Sequence, residues 1–199
     1  MVESRSSGRP LATESVVART TFINAARACF AKSGYTATPM TAVAQKAGYT
    51  PTALRHYFES KADLYAAVFA ATSNEIYPQI VQHLDSPTMA DAIEGSMSRM
   101  LEISKEFSEY IDFLYRTPSE LHRHPELREK VEIRESFQEF FYSSLVSLGR
   151  KTGELNHITD ELQIMFFRTV MQGWVYEGIF SRDITLTTQI ALVKLLRRL

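Results

Sequence analysis

Cysteine is almost missing: Cys29 is the only one in 199 residues, so no intramolecular disulfide is available. Set among Ala25, Ala26, Ala28, Phe30 and Ala31, it is expected to act as a small packed hydrophobe. Long apolar runs are missing too, none nearing the roughly 18 residues a membrane span needs. The opening MVESRSSGRP is polar rather than signal-like, and the expected compartment is the cytoplasm. A glycine-rich phosphate loop, a nucleophile elbow and zinc-ligand spacing are absent. His122 and His124 stand two apart and would diverge on a helix. An enzyme therefore has little to work with, and no cofactor or metal is expected. Strand-like alternation and internal repeats are lacking as well, which leaves an all-α fold.

An excess of one charge is also lacking, with 22 Lys and Arg against 23 Asp and Glu. What is present is asymmetry. Residues 1–64 carry eight basic and four acidic side chains, whereas the remainder carries fourteen basic and nineteen acidic. A basic N-terminal module on an acidic body is what a protein needs when one end approaches phosphate. Hydrophobic residues at 45% are ordinary for a folded soluble chain.

Residues 1–13, with Ser4, Ser6, Ser7, Gly8 and Pro10, read as a flexible basic arm. Val16, Ile23, Ala26 and Phe30 recur at helical spacing until Gly34. Thr38 then offers an N-cap hydroxyl with Pro39 at the first helical position, and Gly48 closes a second short helix. Thr50 and Pro51 repeat that start, with Leu54 and Phe58 on one inward face, and Ser60 with Asp63 opens a fourth helix running towards His83 through Pro78. After a break at Asp85-Ser86-Pro87, Thr88 and Asp91 cap a fifth helix. A short sixth ends before Pro118, and a long one is expected from Pro125 to about Leu148, with Glu126 and Lys130 as an i,i+4 pair. The last two run from Asp160 to about Phe180 and from about Leu186 to the end. The division is an arm at 1–13, a helix-turn-helix unit at 14–60 and a larger helical unit at 61–199.

Two short helices joined by a turn containing Gly48 are the parts of a helix-turn-helix. The stretch AARACFAKSGYTATPMTAVAQKAGYTPTALRHYFESKADL resembles the N-terminal domain of the tetracycline-repressor (TetR) family. Phe30, Gly34, Thr38, Ala47, Gly48, Tyr57, Phe58, Lys61 and Leu64 carry the likeness, over about a quarter of the chain. The departures, Thr52 and Arg55, fall on the recognition helix and bear on specificity. The resemblance implies a dimeric regulator of double-stranded operator DNA with an effector pocket in the second unit, relieved from its operator by ligand.

With Leu54 and Phe58 inward, the 100° step of a helix turns Pro51, Thr52, Arg55 and His56 outward to meet base edges. Arg55 is suited to bidentate contact with guanine, or alternatively to a phosphate. Thr38, Thr41, Thr50, Tyr57 and Lys61 are expected at phosphates, although Thr38 and Thr50 are equally plain N-caps. By resemblance, Tyr57 and Lys61 are the stronger of these. Arg5 and Arg9 on the arm are candidates for the minor groove or the backbone.

Met97, Met100, Phe107, Tyr110, Leu114, Phe137, Phe141 and Met165 supply the apolar bulk for an effector pocket, or simply a core. An apolar or aromatic small molecule is the expected ligand, with Tyr110, Arg116, His122, Gln138 and Arg168 as polar candidates. The helix at 160–180 is apolar on more than one face, so Phe167, Val170 and Trp174, with Ile190 and Val193 of the last helix, are expected at a homodimer interface. A helix-turn-helix protein acting only through protein contacts is the alternative, and Arg55, Tyr57 and Lys61 weigh against it.

Overall fold

Hydroxyl caps and left-handed glycines punctuate the first third of the chain. The computed structural model describes residues 12–131, 133–155, 159–180, 190–191 and 193–194. Helix α1 spans Ala12–Ser33 and ends where Gly34, at φ +77°, returns its N–H to the Phe30 carbonyl. A β-carbon at Gly34 would lie 2.6 Å from Glu120 Oε1, so that carboxylate would have to move, and the left-handed φ itself disfavours any other residue. Helix α2 spans Met40–Lys46 and α3 spans Pro51–Tyr57, joined through Gly48 at φ +76°. The Thr50 hydroxyl accepts the Ala53 N–H at 3.2 Å, as the cap pattern predicts.

Thr38 departs from that pattern. Pro39, not Thr38, is the N-cap of α2, and the Thr38 hydroxyl donates back to the Gly34 carbonyl at 2.7 Å. Buried at 2% exposure, it locks the corner after α1 instead of opening α2.

Helix α4, Lys61–Val81, opens on a reciprocal cap in which Ser60 accepts the Asp63 N–H and donates to its carboxylate at 2.6 Å. Pro78 lies inside the helix, which then tightens into a 3₁₀ turn at Gln82–Asp85. Helix α5, Met89–Glu106, begins at the Thr88 cap, braced by Glu154 accepting the N–H groups of Met89 and Ala90.

Helix α6 runs Ser108–Arg123 and carries Pro118 in its interior, so the expected stop there does not occur. Thr117 donates to the Phe113 carbonyl one turn back and meets the Tyr65 hydroxyl at 3.2 Å, while Glu120 anchors the final turn on α1. The long helix expected from Pro125 is two: α7 at Pro125–Arg128 and α8 at Ile133–Thr152. Leu127 and Val131 are drawn into the core beside α1 and α4, and Lys130 reaches Asp63 at 2.5 Å instead of pairing with Glu126. Helix α9 occupies Asp160–Phe180, as its pattern predicts. Most of the expected last helix lies outside the described residues.

Two apolar cores share α4. One gathers Phe22, Phe30, Val43, Leu54, Phe58, Leu64, Tyr65 and Val68 with Phe113 and Leu127. The other gathers Ile76, Ile80, Met97, Phe141, Leu145, Phe167, Met171 and Trp174. No strand occurs among the described residues, and none of their helices is long and apolar enough to cross a membrane.

Candidate DNA-binding surface and effector cavity

Helix α3 is fixed from below by Leu54 at 0% and Phe58 at 3% exposure, while Pro51, Thr52, Arg55 and His56 are all exposed on its outer side. Four side chains able to touch base edges thus share a short rigid helix whose hydrophobic partners hold its orientation. Thr41 and Thr50 are exposed beside it, and half-buried Tyr57 rests its ring 5.5 Å from Phe22.

Thr38 is placed differently from the sequence expectation, and Lys61 is half-buried. Thr38 is buried, its hydroxyl spent on the corner after α1, and offers nothing to a phosphate. The Lys61 ammonium donates to the Tyr35 carbonyl at 2.8 Å and lies 4.3 Å from the centre of the Tyr35 ring. Burial lowers its pKa. Arg5 and Arg9 lie outside the described residues.

Behind this surface the N-terminal unit is tied to the rest by groups that sequence patterns did not reveal. Arg27, 4% exposed, donates to Thr72 of α4 at 2.9 Å and to Asn24 at 3.1 Å, with its guanidinium 3.8 Å from the Tyr110 ring centre. Glu120 of α6 accepts the Tyr35 N–H at 3.0 Å, and His124 meets the Thr36 hydroxyl at 2.9 Å. An arginine inside an alanine-rich helix was the available signal for the first of these; nothing local marked the second.

Between α4, α5, α6, α8 and α9 lies a cavity of about 190 Å³. Met100, Leu114, Phe137 and Phe141 line it, as do Ile76, Tyr77 and Ile80 of α4, which the sequence did not single out. The other expected lining residues are elsewhere. Met97 is fully buried in the core, Phe107 is exposed at the start of α6, Tyr110 belongs to the Arg27 joint, and Met165 is 56% exposed on α9. Of the polar candidates only Gln138 reaches the cavity; Arg116, His122 and Arg168 are exposed at other positions.

Helix α9 resolves into two faces. Phe167, Met171 and Trp174 are buried in the chain's own core, so Phe167 and Trp174 are not surface groups. Leu162, Met165 and Phe166 are each more than half exposed, and Gly173 continues their stripe with open space before it. Val170 is half-buried, Val193 is buried and Ile190 is exposed.

Short helices α2 and α3 joined at Gly48, with a cavity among the later helices, make the architecture of a helix-turn-helix unit on a larger helical body. Residues 22–68 match the model of the bacterial regulatory proteins, tetR family. The match covers the N-terminal unit alone, and the fold of the chain is that of solved TetR-family regulators. The transcriptional regulator FadR of Bacillus subtilis, solved in complex with stearoyl-CoA, superposes with a TM-score of 0.74 at 16% identity, covering 89% of this chain and 96% of that one. SmeT, repressor of the Stenotrophomonas maltophilia multidrug efflux pump SmeDEF, gives 0.67 at 16% identity over 88% and 85%. A TetR family transcription regulator of Marinobacter aquaeolei gives 0.67 at 18% identity over 88% and 94%. No curated protein matches the sequence.

Proposed function

We propose that this protein is a homodimeric, sequence-specific repressor that leaves its operator when a small apolar or aromatic molecule enters the α4–α9 cavity. The observation that carries this is the course of α4. It starts at Lys61 beside the recognition helix and brings Ile76, Tyr77 and Ile80 to the cavity wall. Its 21 residues cover about 30 Å, so one element touches both sites. Ligand need not reach the DNA-contacting groups. A small tilt of α4 in each subunit changes the separation of the two recognition helices, which must match about one DNA turn for both to dock.

Small-molecule control is supported by the stearoyl-CoA complex of one structural relative, and repression by the efflux-pump repressor among the others. The exposed stripe on α9 supports a dimer. Selection of bound sequences from random DNA tests the core of the proposal. A palindromic consensus is expected, and enrichment of no sequence would overturn it.

A further inference from the structure

The cavity assigned above to an effector restricts that effector's chemistry. Among the described residues that line it, none is Asp, Glu, Lys, Arg or His. Its polar character comes from the phenols of Tyr77, Tyr115 and Tyr142 and the carboxamides of Gln138 and Gln172. A charged ligand entering such a space sheds its hydration and meets no counter-ion among these described side chains, a loss that apolar contact over this small surface does not offset.

Shape narrows the class further. Tyr77 of α4 and Phe137 of α8 lie face to face, with ring centroids 3.6 Å apart and planes at 12°. Phe137 continues to Phe141 at 6.1 Å and 18°. The wall is therefore a run of nearly parallel ring faces joining two helices. A flat aromatic ligand extends it by offset stacking, whereas a flexible chain gains contact only and loses rotamer freedom on binding. An apolar cavity of about 150 Å³ admits a single benzene ring, so 190 Å³ suits a substituted ring or a fused pair. Pro118 and Gln172, exposed at the rim, mark the mouth.

We infer that the site takes a neutral, planar, aromatic molecule of one or two fused rings, bearing a hydroxyl or carbonyl for the carboxamides of Gln138 and Gln172. The inference rests on the effector assignment above and names its ligand class. Calorimetric titration of the full-length protein with four probes of similar size tests it: naphthol, naphthoate, naphthylmethylammonium and decanol. Naphthol is expected to bind once per chain, at least about tenfold more tightly than each of the others. Gln138→Glu places a carboxylate in the wall at nearly unchanged volume, and is expected to weaken naphthol and favour the ammonium probe. Phe137→Leu removes the stacked face and should bring the naphthol-to-decanol affinity ratio towards one. Naphthoate or the ammonium probe matching naphthol on the unaltered protein would overturn neutrality, and decanol matching it would overturn planarity, while both leave an effector site in place. Binding of none of the four would overturn this inference together with the assignment on which it rests.

Discussion

Arg55 and Asp63 show how differently two charged side chains eight positions apart are used. Arg55 is exposed on α3, between buried Leu54 and the aromatic pair of His56 and Tyr57. Its removal should leave the fold intact. Arg55→Ala is expected to cost about 1–3 kcal/mol of operator binding and to relax preference at one base position per half-site. Weakening of all sequences equally, with an unchanged consensus, would make it a phosphate contact instead. Asp63, by contrast, is held by the Lys130 ammonium and the Ser60 hydroxyl, which keep its carboxyl below the usual range. A depressed carboxyl stabilises the fold above its unfolded pKa and loses that contribution as pH falls through the folded value. Asp63→Asn should therefore lower the urea midpoint at pH 7, and the gap to the unaltered protein should shrink below about pH 4. A gap that is the same at pH 7 and pH 3 would show that the carboxylate charge contributes nothing.

At the scale of elements, what was legible followed from local chemistry. The ends of α1, α3 and α4 were readable because Gly34, Thr50 and Ser60 act on backbone groups within a few residues of themselves. The break between α7 and α8 was not, because its causes are distant: Lys130 reaches Asp63, and Val131 packs into the N-terminal core. Pro118 misled for the same reason, since α6 is held straight past it by Thr117 against Tyr65 and by Glu120 against Tyr35. The cavity was only partly legible; stripes on α5, α6 and α8 pointed to it, but nothing in α4 distinguished Tyr77 from ordinary core. Gly34 faces Glu120 of α6 just past the end of α1, and its φ of +77° favours glycine. Gly34→Ala is expected to destabilise the protein by at least about 1 kcal/mol, read as a lowered urea midpoint. An unchanged midpoint would mean that Glu120 swings away at no cost.

For the whole molecule, the stripe of Leu162, Met165 and Phe166 and the buried row of Phe167 and Trp174 on the same helix make oligomerisation and folding separable. Phe166→Glu should yield a folded 22.7 kDa monomer in sedimentation, whereas Phe167→Glu should unfold the chain. A dimer surviving Phe166→Glu would place the interface on another face. The proposed mechanism requires the dimer, because a ligand in each subunit would change DNA affinity by altering how two recognition helices sit together. Linkage then makes the coupling reciprocal. If a cavity ligand weakens operator binding by some factor, typically ~5- to 150-fold, the operator must weaken ligand binding by the same factor. Since α4 is shared by both cores, that factor should fall when the joint between them is loosened. Arg27→Met, which removes the bonds to Thr72 and Asn24, is the variant to compare. Ligand affinity measured with and without operator should differ several-fold in the unaltered protein and less in the variant. Equal ligand affinities in free and operator-bound protein would show that α4 transmits nothing between the two sites.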